Sequence, residues 1–296
     1  MKRLLQISLF FALPISMLLL FLLTMSSIRT AWYQPTLPSN KKVLIIGNSH
    51  PECAIIESVQ DDYVNLGKSG ECFYYSIKKA DWILSCNPQV TQVWIELAPN
   101  QFMPHMEKWI VDSEYEQRAL LSFPFLMDAQ WEWNAWKKKP LVSLQTKMVQ
   151  ARRYWGAILA PDWEEDRAGL KWGMYREMKG RSAKFENPDE DGKRTIQPFQ
   201  DNWMSLVSFC NDLKKRGIEV HAFQCPEYAQ QNNFQPIIAY CQKHGLAITQ
   251  YHEVPFEVKD SSLFYDASHL NKKGAEVFSK NFKQVLSNQL NDHHPF

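Results

Sequence analysis

Short apolar runs alternate with stretches of helical length along much of the chain, and this rhythm constrains the fold more than any other feature. Five runs have the length and the β-branched or aromatic content of buried strands. They are Val43 to Ile46, Tyr63 to Leu66, Gln92 to Leu97, Ile218 to Phe223 and Ala247 to Tyr251. Strands that alternate with helices form a parallel sheet with helices on both faces. The sequence therefore predicts an α/β fold.

The segments between these runs include helix-length stretches such as "FYYSIKKADWILSC", and a last helix is predicted over about Lys272 to Leu290. Residues 103 to 200 interrupt the rhythm, because they are rich in Trp and charge ("QWEWNAWKKK") and then turn polar ("ENPDEDGKRTIQP"). We predict a helical insertion here. Its aromatic residues either pack within the insertion or form a lid or sugar-stacking surface, and both interpretations stay open.

An apolar run from Leu4 to Met25 carries no charge and follows Lys2 and Arg3. Its length suits a helix that spans a bilayer. The sequence that follows, "TMSSIRTAWYQ", lacks the small-residue site of a cleaved signal peptide, which favours an uncleaved anchor. The leading basic residues predict a cytoplasmic N-terminus and an extracytoplasmic remainder, periplasmic or extracellular, although later basic residues weaken this prediction.

These patterns predict three parts of the chain. Residues 1–28 form a transmembrane anchor, residues 29–41 form a linker that contains Pro and Ser, and residues 42–296 form the α/β domain with its insertion at about 103–200. The chain has 33 Lys and Arg against 32 Asp and Glu, so its overall field gives no reason to expect a nucleic-acid partner.

The cysteines and glycines argue against a cofactor or a metal. The six cysteines fit no metal-binding spacing, and we expect most of them to be small buried apolar residues with at most one disulfide. No phosphate-binding glycine loop follows a predicted strand. We therefore predict no cofactor and no metal site.

Polar residues follow the predicted strands, at the edge where ligands of parallel sheets bind. Gly47, Asn48, Ser49 and His50 follow the first strand, "GKSGE" the second, "APNQF" the third and "QCPEY" the fourth. Serine is a weak nucleophile unless a base lies close to it. The first of these segments is therefore a candidate reaction site only if a base from elsewhere in the chain reaches Ser49.

Asp266 and His269 lie three residues apart in "YDASHLNKKGAE", just before the predicted last helix. One turn brings such a pair side by side, and the carboxylate can then hold the imidazole in the tautomer that accepts a proton from Ser49. Alternatively, Asp266 simply caps the helix that follows. We expect His50 to point away from the reaction and His221 to be a packed histidine within a strand.

In their order along the chain, four blocks resemble those of the SGNH, or GDSL-like, hydrolase family. They are Gly47-Asn48-Ser49, Gly70, Asn100 and Asp266-x-x-His269. The resemblance covers about Lys42 to Leu290 without the insertion, and it is especially like membrane-anchored members linked to acylation and deacylation of cell-surface polysaccharides. It implies a three-layer, flavodoxin-like α/β/α sheet and a serine nucleophile.

The resemblance also implies the role of each residue. Ser49 would be the nucleophile, His269 the general base and Asp266 the residue that orients it. An oxyanion hole would form from the N–H groups of Ser49 and Gly70 and the side-chain amide of Asn100, with Gly67 as the alternative to Gly70.

The first and third blocks depart from the family pattern. Asn48 stands where the family usually has Asp. The third block usually reads Gly-x-Asn-Asp, but here Pro99 precedes Asn100 and Gln101 follows it. Because proline fixes the backbone at this point, the direction of the Asn100 side chain stays open.

Two hypotheses of different classes follow. The first is an anchored serine esterase or O-acyltransferase that acts on acyl esters of an extracytoplasmic glycan through an acyl-Ser49 intermediate. The second is a non-catalytic scaffold of the same fold that binds polysaccharide or a membrane acyltransferase. A lipid esterase is a third, weaker interpretation.

Overall fold

The computed structural model describes residues 36–103, 175–180, 200–228 and 234–292, with a few residues within 16–21 and 133–148. The chain divides into two units, one of residues 1–35 and 117–171 and the other of residues 36–116 and 172–296. The predicted anchor and most of the predicted insertion lie outside the described residues. Within the described ranges, no helix has the length and apolar character needed to cross a membrane.

The larger unit contains a five-stranded sheet in which every neighbouring pair is parallel. The strands are β1 (Val43–Ile46), β2 (Tyr63–Asn65), β3 (Gln92–Glu96), β4 (Glu219–Phe223) and β5 (Gln250–His252). Their spatial order is β2-β1-β3-β4-β5. This is the flavodoxin-like order, in which the direction of winding reverses between β1 and β3. The predicted parallel α/β sheet is confirmed.

Five helices flank this sheet in the described part of the chain. They are α1 (Ser49–Ala54), α2 (Phe73–Cys86), α3 (Gln200–Lys215), α4 (Phe234–Lys243) and α5 (Lys272–Asp292). Short 3₁₀ turns cover Pro99–Phe102 and Ser261–Leu263.

Alternate residues of the strands face opposite sides, and each side has its own apolar cluster. Leu44 of β1 belongs to a cluster with residues of α2, α3 and α4, such as Leu206. Ile45 belongs to a second cluster with residues of α1 and α5, such as Phe282. The sheet is therefore the middle layer of three, because both faces of its strands are buried.

The largest boundary error of the sequence prediction is in β5, which begins three residues later than expected. Gly245 adopts a φ of 68° at the end of α4, and Leu246 N–H then bonds back to the Cys241 carbonyl. Pairing with β4 starts only at Gln250, opposite His221. This turn and the residues that follow it occupy the chain up to Thr249, so the strand begins later than predicted.

All six cysteines are free, so the disulfide that the sequence left open does not form in this structure. Five of them are buried, and Cys86 is half-buried. The expectation that most of them act as small apolar core residues is confirmed.

Candidate active site

The structure brings Ser49, His269 and Asp266 together. The Ser49 hydroxyl oxygen lies 2.8 Å from His269 Nε2, and His269 Nδ1 lies 2.9 and 3.0 Å from the two carboxylate oxygens of Asp266. These distances are those of hydrogen bonds. Because a carboxylate only accepts, His269 Nδ1 carries the proton in this pair and Nε2 is left to accept the Ser49 proton.

A sharp turn between β1 and α1 delivers Ser49 to the sheet edge. A side chain at Gly47 would lie 2.6 Å from the Pro51 side chain and 2.8 Å from the Glu96 side chain, so only glycine fits there. Asn48 then caps the helix, since its side-chain oxygen accepts from the His50 N–H at 2.9 Å. A cap of this kind contributes about 1 kcal/mol. Ser49 therefore begins α1 with its hydroxyl at the edge.

The loop before α5 fixes the other two side chains. Besides the imidazole, an Asp266 oxygen accepts from the backbone N–H groups of Ser268 at 2.9 Å and His269 at 2.8 Å. Burial alone would raise the pKa of Asp266, but the hydrogen bond and charge of His269 and these backbone N–H groups together lower the pKa below its ordinary value. Asp266 is therefore ionised at neutral pH.

The alternative role of Asp266 as the cap of the last helix is wrong. The side-chain oxygen of Asn271 accepts from the Gly274 N–H at 3.0 Å, which places the cap of α5 at Asn271. Asp266 bonds its own loop and the imidazole instead.

A hydroxyl on α5 joins the two halves of the site, whose reacting residues are 220 positions apart in sequence. Ser279 accepts from the Ile56 N–H at 2.8 Å and donates to the Ala54 carbonyl at 3.0 Å, directly after α1 ends. The helix that follows His269 is thus fastened to the helix that begins at Ser49.

The predicted oxyanion donors are unused within the part of the chain that the structure describes. There, the N–H groups of Ser49 and Gly70 and the side-chain amide nitrogen of Asn100 donate no hydrogen bond. The N–H of Gly67, by contrast, donates to the Asn65 side chain at 3.0 Å. Of the two candidate glycines, Gly70 is the one with a donor left to offer.

Gly70 has a φ of 77° and stands between two anchored neighbours. On one side, Ser69 N–H donates to the Glu52 carboxylate at 3.0 Å. On the other, the Glu71 carboxylate pairs at 2.8 Å with the ammonium group of Lys79, which is fully buried. Separating the two charges would leave each one buried without its partner, which is energetically costly. The pair of Glu71 and Lys79 therefore holds this side of the loop in place.

A hydrogen bond from Asn48 orders the side-chain amide of Asn100. The Asn48 side-chain nitrogen donates to the Asn100 side-chain oxygen at 2.9 Å. The Asn48 oxygen is already used by a backbone N–H, so its nitrogen must face Asn100, and the Asn100 nitrogen is directed elsewhere. Pro99 starts a 3₁₀ turn, a position that suits its fixed backbone.

The sequence patterns missed two buried carboxylates, Glu96 and Glu227. Both contact His50: Glu96 lies 3.2 Å from Nδ1 and Glu227 lies 4.0 Å from Nε2. For Glu96 a sequence signal for a buried carboxylate was present, since it is a charged residue at the end of a buried strand.

The prediction that His221 is a packed histidine is confirmed. It is fully buried, 2.9 Å from His252 and 3.2 Å from Glu219. The sequence gave no sign that His252 would be its partner.

Neither a protein-family model nor a curated protein sequence matches the chain. Among solved structures, a candidate acylhydrolase from Bacteroides fragilis is similar to it, with 14% identity over 89% of this chain and 95% of that chain and a TM-score of 0.37. A GDSL-like lipase from Bacteroides thetaiotaomicron has 12% identity over 90% of this chain and 98% of its own, with a TM-score of 0.37. At these values the likeness carries no argument, and the strand order and side-chain contacts stand by themselves.

Proposed function

We propose that this protein is a serine esterase or O-acyltransferase that acts on acyl esters of an extracytoplasmic glycan. The observation that carries the proposal is the continuous set of contacts from Ser49 through His269 to Asp266. This set places a nucleophile, a base and an orienting carboxylate in the order that acyl transfer requires.

In the first half of the reaction, His269 Nε2 takes the Ser49 proton as the serine oxygen attacks the ester carbonyl carbon. The carbonyl oxygen becomes an oxyanion, which the unused N–H groups of Ser49, Gly70 and Asn100 stabilise. Each such donor contributes roughly 100- to 1,000-fold to the rate. Collapse breaks the bond to the leaving alcohol, which receives the proton from His269, and an acyl-Ser49 ester remains.

In the second half, water or a sugar hydroxyl attacks acyl-Ser49. His269 takes the proton of the attacking group, and the same oxyanion forms and collapses. The proton then returns to the Ser49 oxygen, and the acyl group leaves on the new oxygen. Attack by water makes the protein an esterase, and attack by a sugar makes it an O-acyltransferase.

The glycan substrate and the location rest on sequence. We propose that the apolar run from Leu4 to Met25 anchors the protein and that the α/β domain lies on the extracytoplasmic side. An acylated polysaccharide is the substrate that we propose on that side, and a membrane acyltransferase is a partner of suitable chemistry. This part of the proposal also rests on the resemblance of the four blocks to anchored members of the SGNH family.

The scaffold hypothesis is less well supported by the contacts. Binding a polysaccharide requires neither a serine within 2.8 Å of an imidazole nor an ionised carboxylate behind that imidazole. A fluorophosphonate probe distinguishes the two, because it forms a covalent bond only with an activated serine.

The test uses the full-length protein in a mild detergent. Turnover of p-nitrophenyl acetate and of acetylated glycans, and labelling by the probe, are compared among wild type, Ser49→Ala and the control Ser85→Ala, which changes an exposed serine on α2. We expect Ser49→Ala to lose both turnover and labelling and Ser85→Ala to retain them. Equal turnover by wild type and Ser49→Ala would remove Ser49 from the mechanism, and labelling without glycan turnover would redirect the search to another ester.

A further inference from the structure

A cluster of three ionisable side chains lies beneath the candidate active site. His50 contributes the imidazole, with Glu96 3.2 Å from Nδ1 and Glu227 4.0 Å from Nε2. The side chains of His50, Glu96 and Glu227 are only 2%, 0% and 4% exposed. They come from the ends of different strands, since His50 follows β1, Glu96 ends β3 and Glu227 follows β4.

Packing alone does not explain this cluster. Glu96 faces the same side of the sheet as Trp94, where the surrounding cluster is apolar and aromatic. Burying ionisable groups in such surroundings is costly, and well-packed apolar residues are often as stable or more so. One carboxylate oxygen of Glu96 is buried without a hydrogen-bond partner among the described residues. Charged clusters of this kind concentrate at functional sites.

The cluster contacts both reacting residues of the candidate site. His50 follows Ser49 directly, and its backbone N–H bonds the capping side chain of Asn48 at 2.9 Å. Its ring meets the ring of His269 edge to face, with centroids 5.6 Å apart. A His50 ring that is hydrogen-bonded to Glu96 through Nδ1 and lies near the Glu227 carboxylate on its other side therefore restrains the turn that carries Ser49 and the plane of the His269 imidazole at once.

We propose that His50 is a positioning residue for Ser49 and His269, held in place by the buried carboxylates of Glu96 and Glu227. This inference rests on the proposed acyl transfer. It assigns no contact with the substrate to His50, because the side chain is buried. The same three groups would otherwise be an unexplained source of instability in the core.

The charges around His50 agree with this role. Burial alone would lower the pKa of His50, but the hydrogen bond and charge of Glu96, with the charges of Glu227 and Asp266, raise the pKa above its ordinary value of 6.5. A protonated ring donates from both nitrogens, so it is attracted to a carboxylate on each side. The titratable ring of His269 also faces it, across the ring contact.

The main test is Glu96→Gln, which keeps the shape of the side chain and removes its charge. We expect kcat for p-nitrophenyl acetate to fall by about 10-fold with KM unchanged, because a small displacement of reacting groups slows the chemistry without weakening binding. The matched control is Glu219→Gln, which changes a carboxylate next to a buried histidine on the same face but away from Ser49. It should leave kcat unchanged.

A direct readout is the charge state of His50 in the wild type. A titration of the ring ¹⁵N chemical shifts should place the pKa of His50 above its ordinary value of 6.5 in the wild type, and Glu96→Gln should lower that pKa. A pKa of His50 at or below 6.5 in the wild type, or one that Glu96→Gln leaves unchanged, would overturn the inference.

A second variant guards against poor folding of Glu96→Gln. The triple change His50→Met, Glu96→Leu and Glu227→Gln replaces the cluster by groups without charge, and we expect it to be folded but slower, with labelling of Ser49 retained. If it turns over ester as fast as wild type, the cluster only fills space and the inference is wrong. If wild type shows no activity that depends on Ser49, the proposed function itself has failed, which is a different result.

Discussion

Among the groups of histidine and acidic side chains that the described residues form, one at the sheet edge and one in the core have contacts of nearly the same lengths. At the sheet edge, His269 is 2.8 Å from Ser49 and 2.9 Å from Asp266. Within the core, His221 is 2.9 Å from His252 and 3.2 Å from Glu219. Short contacts to a histidine therefore do not by themselves identify a reaction site.

The two groups differ in their exposure to solvent and in the last residue of each chain of contacts. The His269 side chain is 21% exposed, whereas His221 is fully buried and Trp94 stacks on the rings of both His221 and His252. The edge series ends in a serine hydroxyl, which can attack a carbonyl, but the core series ends in a second imidazole. The comparison teaches that a chain of contacts can serve a reaction only if it ends in a nucleophile and if that end is accessible to a substrate.

The largest expected effect comes from His269→Gln, with His252→Gln as its matched control in the core group. Loss of the base should lower kcat by about 1,000-fold or more with little change in the unfolding temperature. His252→Gln should lower the unfolding temperature and leave the kcat of the folded protein unchanged. Ester turnover and thermal melting of both variants check this. Similar losses of kcat in the two variants would show that the edge group and the core group do not differ in their importance for the reaction.

A smaller effect is expected from Asn48→Asp. Aspartate still caps α1, but it has no donor for the Asn100 oxygen, so the Asn100 amide loses the contact that orients it. One hydrogen bond of about 1 kcal/mol corresponds to about a fivefold loss of kcat. The measurement is a double-mutant cycle with Asn100→Ala, in which Asn48→Asp should have no further effect. Additive losses would show that Asn48 acts by another route.

The smallest effect is a pH dependence of stability that belongs to the core group. Burial, together with the charge of His221, lowers the pKa of His252 from 6.5 to about 4. Between these values the unfolded chain binds the proton and the folded chain does not, so the free energy of unfolding falls as the pH drops from about 6.5 to about 4. The raised pKa of His50 acts in another window, since its contribution is fully present below 6.5 and is lost at higher pH.

Thermal melts of wild type and His252→Gln between pH 4 and 7 measure this dependence. The unfolding temperature of the variant should depend less steeply on pH than that of the wild type. At pH 7 the two proteins should turn over ester at the same rate. A slope that is the same in both proteins would place the acid sensitivity in other groups.

The sheet was predictable because buried parallel strands consist of continuous runs of apolar residues. Val43–Ile46 and the helix Phe73–Cys86 match their predicted bounds, and only the short edge strand β5 is displaced. β5 pairs on one side only and becomes more buried from Gln250 to His252, so its apolar signal is weak.

The site was only partly predictable. Ser49, Asp266 and His269 stand in local sequence patterns that are typical of catalytic residues. Their proximity follows from the sheet topology, which brings the ends of parallel strands to one edge. The proposed roles of Glu96 and Glu227 could not be predicted from a local pattern, since each depends on His50, which lies in α1. The same holds for Ser279, whose hydroxyl joins α5 to α1.

Ser49 follows the first strand and His269 follows the fifth, so the hydroxyl has no base until the last part of the sheet unit has joined the rest. Under the proposed mechanism, a growing chain that has not yet made its C-terminal loop has no acyl-transfer activity, and neither has a fragment cut anywhere between these two positions once its parts separate. In that mechanism, acyl-transfer activity would report finished folding, and a cell that makes this protein would be exposed to its chemistry only after assembly is complete.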